Sequence, residues 1–324
     1  MMDGHRRLVA HASALALAAT LAVGGVTTAI AQEPPATPGA SSEIATQLPP
    51  ADLPTMNPQG YVFELDATFS GSLSNVPDEA PVYAMHFPEH NAEEAAEIAR
   101  KFGVDAELQD QGGRTFSAEG ENGSVFITPG LVQFISAQEV PEGDLPSDEQ
   151  AVASAREWLR QVGMLPANVG EGTVETRVDD PPRMVVSFKP VKPAPILSAT
   201  PNITVTLGPE ATVLETSLRW ATLSEGDLYQ LRGAEAAWAE VEGRRSYLEV
   251  ALPSEEFEPG SVITGTAEYT DVSIAYTSSG IPGEAQFLQP VYVFTGTITP
   301  SGSDTPYPIT AYVPGLVNSQ QPVG

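Results

Sequence analysis

The stretch Ser147 to Trp220 sets the plan that the rest of the chain repeats. Ser147 with Gln150 three residues later forms a capping box, and Asp148 and Glu149 suit the positive end of a helix dipole. Val152, Ala155, Leu159 and Val162 then fall on one face, and Gly163 followed by Pro166 forbids continuation. Short β-rich runs follow at 173–178 and 183–189, separated by the turn Asp179-Asp180-Pro181-Pro182. A proline-rich excursion, 190–201, leads into a hairpin over 203–220 that turns at Gly208-Pro209. A helix with one apolar stripe needs a sheet face to bury it, so this pattern predicts an α+β unit.

The same order appears on both sides. Upstream, strand-like runs at 61–67 and 82–87 precede a helix capped by Asn91 and Glu94, striped by Ala95, Ile98, Ala99 and Phe102 and stopped at Gly103. Strands at 114–118, 124–128 and 131–136 follow, with turns at Gly120 to Gly123 and Pro129-Gly130. Downstream, Ala234, Ala237, Trp238 and Val241 form a third stripe ending at Gly243, before strands at 262–269, 272–276, 290–298 and 307–313. The stops at 103, 163 and 243 are unevenly spaced, which excludes a solenoid period. The expected fold is α+β, with two or three tandem modules, each an antiparallel sheet with one packed helix. The expected boundaries are 59–140, 141–223 and 224–324.

Ahead of these modules, Arg6 and Arg7 precede an Ala/Leu/Val-rich run, and Ala29-Ile30-Ala31 has the form of a cleavage site. Residues 1–31 read as a signal peptide. The alternative is a retained anchor over residues 8–31, weakened as a span by its alanines and by Gly24-Gly25. Residues 32–58, rich in proline and small polar residues, read as an extended, disordered linker. The chain has no cysteine, so an exported form must be stabilised by packing without disulfides. Thiolate chemistry is excluded by the same count.

Charge narrows the partners. With 42 Asp and Glu against 15 Lys and Arg, the net charge of -27 repels phosphate backbones and anionic lipid. No nucleic-acid role is expected, and the mature chain is not expected to insert in a membrane.

Candidate chemistry is sparse. His86 and His90 stand in His86-Phe87-Pro88-Glu89-His90, formally the inverted zinc-protease motif. That chemistry needs both imidazoles on adjacent turns of one helix, whereas Pro88 interrupts the motif and the helix begins only after Asn91. The pair reads as turn histidines. No G-x-S-x-G elbow accompanies them, Asp179-Asp180 lacks the spacing of a calcium loop, and Gly112-Gly113 and Gly120 to Gly123 read as hairpin turns rather than phosphate loops. Trp158 and Trp238, on striped helices, belong to cores, while Trp220 closes a strand. No catalytic, cofactor-binding or metal-ligating residue is assigned, and no cofactor is expected.

The helix string Ser147-Asp148-Glu149-Gln150-Ala151, continuing to Trp158-Leu159, with the hairpin 203–220, resembles the PepSY unit, a helix packed on an antiparallel sheet. The tandem arrangement behind a hydrophobic N-terminus is similar to extracytoplasmic regulators of the YycH/YycI type. So are the closing runs 287–294 and 312–316. The resemblance implies a non-catalytic module that binds or restrains another protein, a sensor kinase or a protease. Those kinase regulators keep their membrane helix, from which the cleavage site at Ala29-Ile30-Ala31 departs. The expectation is therefore an exported, non-enzymatic regulatory protein of the bacterial cell envelope, with a protein partner held at a sheet edge or in a groove between modules. The alternatives are a secreted carboxylate-dependent hydrolase, suggested by acidic abundance, and a structural envelope protein without a specific ligand.

Overall fold

The computed structural model describes residues 48–54, 57, 59–253, 255–280 and 285–317. The expected signal peptide, the alternative anchor and most of the expected linker lie outside them. Among the described residues no helix is long and apolar enough to cross a membrane.

The fold is α+β and mostly strand. β1 (Val62–Phe69) and β2 (Glu79–His86) precede α1 (Ala92–Lys101). Then come β3 (Gln109–Gly112), β4 (Thr115–Gly120), β5 (Gly123–Thr128), β6 (Leu131–Ser136) and α2 (Asp148–Gln161). β7 (Val169–Asp179), β8 (Pro182–Pro190), β9 (Asn202–Leu207), β10 (Val213–Arg219) and β11 (Thr222–Gln230) lead to α3 (Ala234–Glu242). β12 (Tyr247–Val250), β13 (Val262–Ser279), β14 (Gln286–Pro300) and β15 (Tyr307–Pro314) complete the order.

Two sheets result. One is antiparallel throughout, in the order β3-β4-β5-β6-β10-β9-β8-β7. It contains two copies of a helix followed by a four-stranded meander, α1 with β3 to β6 and α2 with β7 to β10. The copies join through their fourth strands, β6 against β10. Both helices bury their stripes in a single core with the sheet: Ala95, Ile98 and Ala99 from α1, and Ala151, Ala155 and Leu159 from α2, against Val125, Ile127, Val186, Phe188 and Val205. Trp158 stacks at its margin near Phe102 and Phe134, with ring centroids 5.7 and 6.0 Å away.

The second sheet runs β1-β13-β14-β15-β12, with β2 and β11 added where β2 pairs the start of β14. All pairings are antiparallel except β1 with β13. α3 packs on this sheet, and Trp238 lies 5.4 to 5.7 Å from the rings of Phe69, Tyr269 and Phe294.

The strands divide between the sheets differently from the expected boundaries. β1 and β2, placed by the sequence in a module ending at residue 140, belong to the sheet of α3. The first sheet is inserted between β2 and β11, which neighbour one another with Thr222 opposite His86. The pairing of β1 with β13, Val62 opposite Val262, joins residues 200 positions apart, and no local pattern in either run names the other.

The proline-rich stretch also differs at its end. Asp52 N–H donates to the Ser278 carbonyl at 2.8 Å, the buried Gln289 amide donates to the Pro49 carbonyl at 2.7 Å, and the Thr277 hydroxyl donates to the Asp52 carbonyl. Leu53 is buried against Val291 and Tyr312. Residues 48–54 thus strap the back of β13 and β14. Thr277 and Gln289 are buried there, and the strap backbone gives each side chain a carbonyl acceptor.

The caps form as the sequence implies. Asn91 accepts from the backbone of Glu93 and Glu94, and Glu94 accepts from Asn91 N–H at 3.0 Å; Ser147 and Gln150 exchange the same bonds at 3.3 and 3.1 Å. Ser147→Ala removes one end of that exchange, so urea denaturation is expected to show a loss of about 1 kcal/mol with an unchanged slope.

Candidate functional site

Two connections cross between the sheets, residues 87–91 out of β2 and Trp220 and Ala221 into β11, and the excursion 190–201, which leaves and rejoins the first sheet between β8 and β9, reaches over to the second. A small core fills the seam, built from Met85, Ile196, Ala221, Tyr276 and Leu288. Ile196 comes from the excursion and reaches the other sheet through a parallel bridge to Tyr276, secured by Leu197 N–H to the Tyr276 carbonyl at 2.8 Å and Tyr276 N–H to the Pro195 carbonyl at 2.9 Å. Lys189 steadies the excursion by donating to the Ile196 carbonyl at 2.8 Å, and burial lowers its pKa. The Tyr83 ring meets Tyr276 edge-on at 5.5 Å. Burial, helped by Tyr83 and Glu225, pushes the Tyr276 phenol up to about 12, which keeps it neutral.

Beside this core, a groove opens along the seam as two adjoining cavities of about 690 and 420 Å³. His86, Phe87, Gly130 and Leu131 line both. Gly130 is at φ 77°, and a Cβ there would meet Phe87 at 3.1 Å, so the Phe87 ring rests directly on the backbone of the β5–β6 turn. Phe87 divides the groove. The larger cavity adds Met85 and Phe287 with Asp52, Glu89 and Arg219; the smaller adds Met164, Leu218 and Trp220. Apolar walls with a few polar groups between them are the usual composition of a binding site.

The histidines of the zinc-like motif sit here without the geometry of that motif. His86 Nε2 lies 2.7 Å from Ser224 Oγ, across the β2–β11 pair, while His90 Nδ1 faces Glu94 at 3.9 Å. Glu89 turns away to pair with Arg114. Among the described residues no three His, Asp or Glu side chains converge so as to hold a metal ion. Asp179 and Pro182 close the β7–β8 hairpin, and Gly120 and Gly123 the β4–β5 hairpin. Trp220, which sequence leaves at a strand end, is the aromatic wall of the groove. Its position on the crossing between sheets is the signal, and that is visible only once the sheets are assigned.

His90 gives the groove a pH dependence. Burial lowers its pKa, and Glu94 opposes this more weakly. The folded protein then binds fewer protons here than the unfolded chain, so this contribution is fully present above about pH 6.5 and is lost as pH falls towards the folded value. His90→Gln is expected to flatten the decline in stability between pH 7 and pH 5; an unchanged slope in urea midpoints would exclude the assignment.

No protein-family model matches the chain, and neither does any curated protein. Solved structures similar to it include an uncharacterized protein from Eubacterium rectale, with 8% identity, a TM-score of 0.42 and coverage of 80% of this chain and 91% of that one. The C-terminal domain of Bacillus megaterium YpeB is similar at 13% identity and a TM-score of 0.38, covering 73% of this chain and 97% of that domain.

Proposed function

We infer that this is a non-catalytic binding and regulatory protein of the bacterial cell envelope, exported by residues 1–31 and acting by holding a segment of a protein partner in the seam groove. One observation carries the reading: the groove is made of two adjoining cavities that share Phe87 and is walled by Phe87, Leu131, Met164 and Trp220, a surface suited to the side chains of an extended segment. The acidic balance of the chain favours a neutral or basic segment. A sensor kinase or a protease is the class of target that the PepSY and YycH/YycI resemblance implies.

The test is co-isolation from the native envelope after chemical crosslinking. A reproducible protein partner is expected with the wild type, and its yield should fall severalfold with Trp220→Ala. No reproducible partner across crosslinking conditions would contradict the reading.

A further inference from the structure

A second site lies away from the seam, at the two ends of the α3 sheet. Among the described residues, β1 and β12 terminate the strand order, and each has a strand neighbour on one side only. Yet both line one cavity of about 300 Å³ beneath the C-terminal end of α3. The sheet is therefore rolled towards closure, and the gap falls between these two edges. Phe63 and Leu65 of β1, Leu248 of β12, Val241 and Tyr269 form the apolar wall.

Among the described residues a single charged side chain lines this cavity, the cation Arg244. In a chain with 42 acidic and 15 basic residues, chance favours an acid at any such place. Arg244 is weakly committed elsewhere: its guanidinium is 3.9 Å from Asp66, and both side chains are well exposed, which makes the pair worth little. Its neighbour Arg245, by contrast, is bound to Glu240 at 2.7 Å.

Strand direction then selects an orientation. β13, β14, β15 and β12 alternate, and β1 runs parallel to β13, so β1 and β12 run in opposite senses. An extended segment antiparallel to β12 is parallel to β1, and its C-terminal end arrives where β12 begins, three residues after Arg244. The reverse orientation would bring an N-terminal ammonium to the same guanidinium.

We propose that the gap between β1 and β12 binds the C-terminal tail of a partner polypeptide. The tail adds as a strand to the β12 edge, its last side chain enters the apolar cavity, and its terminal carboxylate meets Arg244. This site and the seam groove stand or fall separately.

The experiment presents purified full-length protein with pooled, randomised hexapeptides, one pool ending in free carboxylates and the other in amides. The free-acid pool is expected to yield peptides with an apolar last residue. A single selected peptide should lose at least roughly tenfold in affinity when amidated, the effect of one charge-assisted hydrogen bond. Arg244→Ala should reproduce that loss, Arg245→Ala should leave binding unchanged, and Asp66→Asn should strengthen it. Equal binding of acid and amide, measured on the unaltered protein, would overturn the proposal without reliance on any variant's folding. So would selected peptides that bind Arg244→Ala as well as the wild type.

Discussion

Trp238→Ala is expected to lower the unfolding free energy by about 3–5 kcal/mol, among the largest effects of any single truncation in this chain. The indole is 9% exposed and is packed among Phe69, Tyr269 and Phe294. Those rings belong to three strands, β1, β13 and β14, and the tryptophan is the piece of α3 that meets all of them. Truncation removes the transfer free energy of the indole and leaves a void that fully buried neighbours cannot refill, because Tyr269 and Phe294 are held in paired strands. Equilibrium urea unfolding measures the loss. A change within the roughly 0.5 kcal/mol typical of exposed positions would mean that α3 does not pack as described.

Ile196→Ala should cost about 2 kcal/mol or more and should also alter the form of the transition. The side chain is 6% exposed in a core of only five buried residues, and it is the contribution of the excursion to that core. Each sheet has a much larger core of its own, so weakening the seam loosens the coupling between two bodies that each retain most of their packing. Trp220 stands at the seam, whereas Trp158 and Trp238 sit in the separate cores. In each single-tryptophan version carrying Ile196→Ala, the fluorescence midpoint is therefore expected to depart from that version's own circular-dichroism midpoint, and without the substitution the two should coincide. Val191→Ala, at a 54% exposed position of the same excursion, should leave both stability and coincidence unchanged.

The helices were legible because capping and periodicity are local: Asn91 and Ser147 cap as their neighbours imply, and Gly103 and Gly163 take the positive φ of helix stops. At the third helix the backbone differs. Gly243 stays at φ -74° and Arg244 takes the left-handed conformation, so the stop is shifted by one residue. Hairpins with explicit turns were equally legible, with Leu131–Ser136 matching its predicted range. β3 and β11 escape notice because QDQG and TLSEGDLYQ carry few of the apolar, β-branched residues that mark a strand, and β12 because YLEV is only four residues long. They are held by pairing with partners that already have a core.

The groove was legible only as a general expectation of a surface between modules. The residues of its smaller cavity come from β2, the β5–β6 turn, the loop after α2 and the β10–β11 crossing, which are dispersed from residue 86 to residue 222, and the larger cavity adds residues as far apart as Asp52 and Phe287. What brings them together is the insertion of one sheet between β2 and β11. That arrangement depends on long-range strand pairing, and neither Gly130 nor Trp220 carries a local mark of it.

Site-specific photocrosslinking in the native envelope tests the central claim most directly. A photoreactive phenylalanine at Leu131, on the wall shared by both cavities, is compared with one at Gln109, on the exposed edge strand β3. A discrete adduct with one protein is expected from Leu131, none from Gln109, and loss of the Leu131 adduct when Trp220→Ala is added. Adducts of equal yield from both positions, or none from Leu131, would contradict it.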